Sequence, residues 1–198
     1  MSTLVLIPAR GGSKRLPSKN LRTVGGVPLV GHAVRCGVEY AQQHWEPCRV
    51  ICDTDSEEIA EEAKRHGAEI PFLREAEFAQ DGTSSAATII RTLERLGADD
   101  WSVVTLLQPT SPLRTVEDVR GTRGVWGEMM GVTTFSVTAG TPNPNGAVYV
   151  IWAIELRKER SFTGGWCSRY AMPPERSIDI NNAEDLAEAE RLWRMQHG

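Results

Sequence analysis

The segment that most restricts what this chain can become is Thr3–Ile7, which reads TLVLI and carries no charged or amide side chain. A strand with one polar face can lie on a sheet that is wet on one side. A strand that is apolar throughout has to be covered on both faces. Covering both faces from one chain calls for helices on either side of the sheet, and so for strands that alternate with helices.

The rest of the sequence follows that alternation. Residues 28–40 place Leu29, Val30, Ala33, Val34, Val38 and Tyr40 at helical spacing, and residues 49–52 (RVIC) form a second short strand. Ser56 caps a helix over 57–66 that has acids in its first turn and Lys64, Arg65 and His66 in its last, with Gly67 beyond. An extended segment over 69–73 and a helix over 84–96 come next, then the most apolar strand, 101–107 (WSVVTLL). Residues 116–125 read as a helix, and 131–137 and 147–151 as strands joined by a tight connection over 140–146. Residues 161–174 read as a loop or flap, 177–180 as a short strand, and Asn182 as the cap of a helix ending at Met195. The pattern predicts the α/β class: one domain over residues 1–198, a three-layer α/β/α sandwich around a mainly parallel, Rossmann-like sheet.

In such sheets ligands sit beyond the carboxyl ends of the strands. The loop after the first strand is therefore prominent. Residues 8–20 read PARGGSKRLPSKN and hold Arg10, Lys14, Arg15 and Lys19 around Gly11 and Gly12. Phosphates need close backbone amides, which glycine allows, and cations that stay charged. The spacing is neither that of a Walker A loop nor that of a dinucleotide fingerprint, which excludes a dehydrogenase of the usual kind. With a net charge of −4 the chain as a whole does not attract nucleic acid, so anion binding has to come from this local cluster. No apolar run approaches the roughly 20 residues of a membrane span, and the sequence reads as cytoplasmic. Four cysteines without a Cys-x-x-Cys pair and four scattered histidines exclude a structural zinc site of ordinary spacing.

The N-terminal loop resembles the signature of the CMP-sialic acid synthetases, the acylneuraminate cytidylyltransferases. The resemblance continues through residues 73–81 (LREAEFAQD), Ser84 and Ser85, residues 106–114 (LLQPTSPLR), residues 145–149 (NGAVY) and residues 177–180 (SIDI), in the same order. It implies a nucleotidyltransferase sheet and transfer of CMP from CTP to an acceptor. It also implies that Ala9, Arg10, Gly11, Gly12, Ser13, Lys14 and Asn20 hold the triphosphate. Arg10 and Lys14 then neutralise charge at the α-phosphate. Arg74 and Ser84 or Ser85 lie beside the base or ribose, and Gln108 touches the acceptor. Arg114 is an acceptor contact or a structural clamp. Asp179, with Asn181 beside it, is the expected site of Mg²⁺ or Mn²⁺. Asp53 and Asp55 read first as helix-capping acids.

Two departures from the family pattern matter. Asp179-Ile180-Asn181 stands where the family has Asp-Ile-Asp, so one carboxylate is missing. The family's protruding dimerisation lobe, part of its sugar pocket, is reduced to residues 138–144. These features point to an acceptor smaller than a sialic acid and anionic, as in the cytidylyltransferase-like enzymes that activate phosphonates such as phosphonoformate. A sialic or related ulosonic acid acceptor, and a CTP-binding protein without turnover, stand as alternatives. A homodimer stays open, because the lobe that pairs the family's subunits is absent.

Overall fold

The computed structural model describes residues 1–80, 82–97 and 100–198. Asp81, the last residue of the 73–81 motif, lies outside them. The chain runs β1 (Thr3–Pro8), a small hairpin of β2 (Thr23–Val24) and β3 (Val27–Pro28), α1 (Leu29–Gln43), β4 (Cys48–Asp53), α2 (Glu57–Arg65) and α3 (Ser85–Leu96). It continues through β5 (Val103–Leu107), α4 (Val116–Glu128), β6 (Thr134–Thr138), β7 (Pro144–Trp152), α5 (Ala153–Glu159), β8 (Ser168–Met172) and α6 (Ala183–His197).

Six strands form one sheet in the order β4-β1-β5-β7-β6-β8. β1 pairs in parallel with β4 and β5, and β6 with β8, while β7 runs antiparallel to both of its neighbours. The first strand behaves as its sequence requires. Val5 and Ile7 enter the core beneath α1 and α4, whereas Leu4 and Leu6 pack with Ile89, Ile90 and Leu93 of α3 on the other face. All four side chains are completely buried, each worth about 1.5–3 kcal/mol relative to exposure. A third cluster seats Leu186, Ala189 and Trp193 of α6 against Val24, Leu29 and Leu113. No helix among the described residues is long and apolar enough to cross a membrane.

The structure corrects the sequence reading in four places. Residues 168–172, read as loop, form β8 along the sheet edge, where Met172 is fully buried. Glycines at 164 and 165 and prolines at 173 and 174 flank this strand and hide its alternation. α5 follows β7 without an intervening residue, so no loop signal announces it. Residues 177–180 form no strand; Ile180 N–H donates to the Thr110 carbonyl at 2.8 Å, which ties the segment to the loop after β5. Of the extended segment 69–73, only Glu69 bridges to Ile51. The link between β6 and β7 is as short as expected, running from Thr138 to Pro144.

Candidate functional site

At the carboxyl ends of β1, β4 and β5 lies a cleft of about 330 Å³. Its walls come from separate parts of the sequence: Arg10, Lys19 and Asn20 after β1, Arg74 after α2, Ser85 opening α3, Gln108 after β5, and Asp179 and Asn181 before α6. β7 is antiparallel, so its amino end, with Asn145 and Gly146, reaches the same edge.

The basic loop is fastened at both ends. Asn20 is 7% exposed, and its amide donates to the Arg10 carbonyl at 2.8 Å. Ser18 adopts the left-handed conformation (φ 53°) in the turn before it. Ala9 is fully buried and donates its N–H to the Asp53 carbonyl at 2.9 Å, so its amide is engaged within the sheet edge. Gly11 N–H donates to Asp55 Oδ1 at 2.8 Å. Gly12, Ser13 and Lys14 stand on the outer turn and do not line the cleft. Lys19, by contrast, projects into the wall and donates to the Ile180 carbonyl at 3.2 Å. Desolvation lowers its pKa below the ordinary lysine value, Arg15 and Arg10 lower it further, and Asp179 opposes them. The sequence reading counted Lys19 among the loop's cations without giving it a role. Its place at the end of the loop, directly before Asn20, was the available signal.

Asp53 and Arg74 form a buried ion pair at the end of β4. Arg74 Nε lies 3.1 Å from each Asp53 carboxylate oxygen, and Nη2 donates to the Asp53 carbonyl at 2.7 Å. Asp53 is therefore no helix cap, and neither is Asp55. Ser56 takes that part, accepting from Ile59 N–H at 3.4 Å. Ser84 likewise caps α3, accepting from Ala87 N–H at 3.1 Å, and it is Ser85 that faces the cleft. Phe78, Gln80, Thr83 and Thr88 complete this side; the sequence reading had not singled them out.

On the opposite wall Asn145 is the organiser. Its Oδ1 accepts from Ser136 Oγ at 2.7 Å and from Ala147 N–H at 3.1 Å, while Nδ2 donates to Ser177 Oγ at 3.2 Å. The segment that carries Asp179 is thereby held against β6 and β7. Gly146 adopts φ 82°, and a Cβ there would come within 2.9 Å of Gln108 Oε1 and 3.6 Å of the Asp179 carboxyl carbon. Gly146→Ala is predicted to cost about 1–2 kcal/mol from the left-handed backbone alone. It also displaces Gln108, so the expected result is a lower urea midpoint together with a raised acceptor KM.

Arg114 does not reach the cleft. It is 5% exposed, and its Nη1 donates to the carbonyls of Gln108 at 3.1 Å and Ala147 at 2.7 Å. These bonds hold the Gln108 loop to β7. Asn181 lies beside Asp179 in the same wall. Its Nδ2 donates to Asp179 Oδ2 at 2.9 Å and so orients that carboxylate. A cation held by both side chains would require the amide oxygen on that side instead. Among the described residues no three acidic, histidine or cysteine side chains gather as a metal site. One carboxylate does fit a hard cation that takes most of its ligands from substrate phosphates and water.

A family model described as cytidylyltransferase matches residues 4–122. The chain is similar to the CMP-N,N'-diacetyllegionaminic acid synthase of Legionella pneumophila, with 30% identity over 241 aligned positions covering 98% of this chain and 97% of that protein. That alignment is longer than the 198 residues here, so the relative carries segments without a counterpart in this chain. A pseudaminic acid cytidylyltransferase of Campylobacter jejuni is 36% identical over 115 residues, 57% of this chain and 48% of that protein; the chain matches about half the length of that relative. In fold, the chain resembles a CMP:2-keto-3-deoxy-manno-octonic acid synthetase complexed with CTP, with a TM-score of 0.75, 14% identity and coverage of 99% and 100% of the two chains.

Proposed function

The chain belongs to the cytidylyltransferase family, a family of CTP-dependent nucleotidyltransferases, and from that premise we propose that it transfers CMP from CTP to a small anionic acceptor with release of pyrophosphate. The acceptor is a phosphonate such as phosphonoformate, or a carboxylate. The observation that carries the reading is the meeting of Arg10, Lys19 and Asn20 with Asp179 in one cleft at the carboxyl edge of the sheet. Arg10 and Lys19 neutralise the triphosphate and the charge that builds on the α-phosphate as the acceptor oxygen attacks in line. Lys14, on the outer turn, adds to the field that draws the nucleotide in. Arg74, held rigid by Asp53, and Ser85 border the nucleoside end, and Gln108 meets the acceptor. Asp179 would hold Mg²⁺ or Mn²⁺ together with the phosphates, and such a cation would draw charge from the departing pyrophosphate.

The short link from Thr138 to Pro144 supports a small acceptor, because little chain remains there to enclose a nine-carbon sugar. The names of the relatives favour a second reading, in which a ulosonic acid of the sialic type is the acceptor. Pyrophosphate release from CTP with a panel of acceptors decides between them. Release with phosphonoformate or a related small anion is the expected result. Release confined to ulosonic acids establishes the second reading, and CTP binding without release with any acceptor establishes a non-catalytic protein.

The lowered pKa of Lys19 gives a pH prediction. Its proton is lost below the ordinary 10.5, so the cation that faces the triphosphate disappears as pH rises. The KM for CTP is expected to climb as pH rises, and to begin climbing earlier than an unperturbed lysine would require. Lys19→Arg, which keeps its charge, is expected to flatten that climb.

A further inference from the structure

The ladder between β1 and β4 continues past the ends of both strands. Its register sets Pro8 opposite Asp53, and the last bond between the two main chains runs from Ala9 N–H to the Asp53 carbonyl at 2.9 Å. In a parallel pair every second residue of a strand donates to the same neighbour, so the next rung falls between Gly11 and Asp55. Gly11 N–H is bonded to Asp55, but to the carboxylate oxygen Oδ1, at 2.8 Å. A side chain therefore supplies the rung at the point where the basic loop leaves the sheet.

Both halves of this rung are held in place. Thr54 is fully buried; its carbonyl accepts from Arg74 N–H at 2.8 Å and its hydroxyl from Ser56 N–H at 3.1 Å. Ser56 in turn caps α2. Asp55 stands between these two residues, next to the positive end of α2, which favours its charge. On the loop side, Gly11 runs so close to α2 that a Cβ on it would meet Ser56 Cβ at 3.0 Å.

Arg10 is the residue these bonds enclose. Ala9 N–H is tied on one side of it and Gly11 N–H on the other, and its own carbonyl accepts from the Asn20 amide at 2.8 Å. Three bonds over three consecutive residues fix the backbone from which the Arg10 side chain enters the cleft wall.

We infer that Asp55 is a positioning residue: its carboxylate holds the Gly11 amide and thereby aims Arg10 at the triphosphate. Asp55 itself meets neither nucleotide nor acceptor. The inference rests on the reading of the cleft as the CTP site, but not on turnover or on the acceptor's identity.

Two substitutions test it. Asp55→Ala removes the acceptor of the Gly11 bond. Asp55→Asn removes the charge and keeps an oxygen that can accept the bond. By titration calorimetry the Kd for CTP is expected to rise about tenfold in Asp55→Ala, the weight of one hydrogen bond to a charged group, and to stay at or below the parent value in Asp55→Asn. In an Arg10→Ala background, Asp55→Ala is expected to weaken CTP binding by less than about twofold more, because Asp55 acts through Arg10. Limited trypsin digestion of the ligand-free protein reads the tie itself: cleavage after Lys14 or Arg15 is expected to quicken several-fold in Asp55→Ala and to stay unchanged in Asp55→Asn. An unchanged Kd in Asp55→Ala, a tenfold loss that persists in the Arg10→Ala background, or a loss that Asp55→Asn does not rescue overturns the inference. A parent protein that binds CTP but releases no pyrophosphate with any acceptor refutes the transfer reading alone, since the Kd values still report on Asp55.

Discussion

Asp179→Ala is expected to lower kcat for pyrophosphate release by about 10²–10³-fold, the loss seen when one preorganised electrostatic group is removed from a site of developing charge. The carboxylate is half-exposed at the cleft wall, and the segment around it is held by other bonds: Ile180 N–H to the Thr110 carbonyl at 2.8 Å and Ser177 Oγ to Asn145 at 3.2 Å. The fold therefore survives, and the unfolding midpoint is expected to move by no more than about 0.5 kcal/mol in stability, as for surface substitutions generally. Asn181→Ala removes only the amide that orients this carboxylate, so its expected loss is smaller, about tenfold, the value of roughly one hydrogen bond. Steady-state kinetics of the two variants beside urea melts separates the roles. Equal losses in both would mean that Asp179 acts only through Asn181, contrary to the arrangement described here.

The second large effect is on stability. Asp53→Ala leaves the Arg74 guanidinium, whose side chain is 7% exposed, facing an emptied site where a fully buried carboxylate had been. Removing one partner of such a pair is expected to cost about 3–5 kcal/mol, because the remaining charge stays desolvated and uncompensated. The double variant Asp53→Ala/Arg74→Met removes both charges and is expected to recover part of that loss. Equilibrium urea unfolding measures both. A single variant that melts like the parent protein would show that water reaches the pair.

What the sequence revealed, and what it withheld, follows from the range of the forces involved. Thr3–Ile7 had to be covered on both faces because each of its residues is apolar or β-branched, and α1 and α3 cover it from opposite sides. The basic loop and the acidic segment at Asp179 stood out because phosphate chemistry calls for those residue types, and residues of both line one cleft. Which cation turns inward was not legible. Lys14 and Lys19 are equivalent in composition; only the tether from Asn20 to the Arg10 carbonyl and the left-handed Ser18 decide that Lys19 enters the wall. Arg74 was visible as a motif residue, but its tie to Asp53 joins positions 21 apart in the chain. Arg114 could be narrowed no further than contact or clamp, since its partner Ala147 lies 33 residues away. β8 was missed because an edge strand needs only one buried anchor, Met172, which leaves a weak alternating pattern among glycines and prolines.

A crystal structure of the protein with CTP puts the proposed grip on the nucleotide to the sharpest test. The triphosphate is expected between the turn that runs from Arg10 to Asn20 and the first turn of α3, with phosphate oxygens in hydrogen-bonding reach of Arg10 and Lys19. CTP found bound at another edge of the sheet, or in this cleft with its phosphates turned away from both side chains, would contradict it.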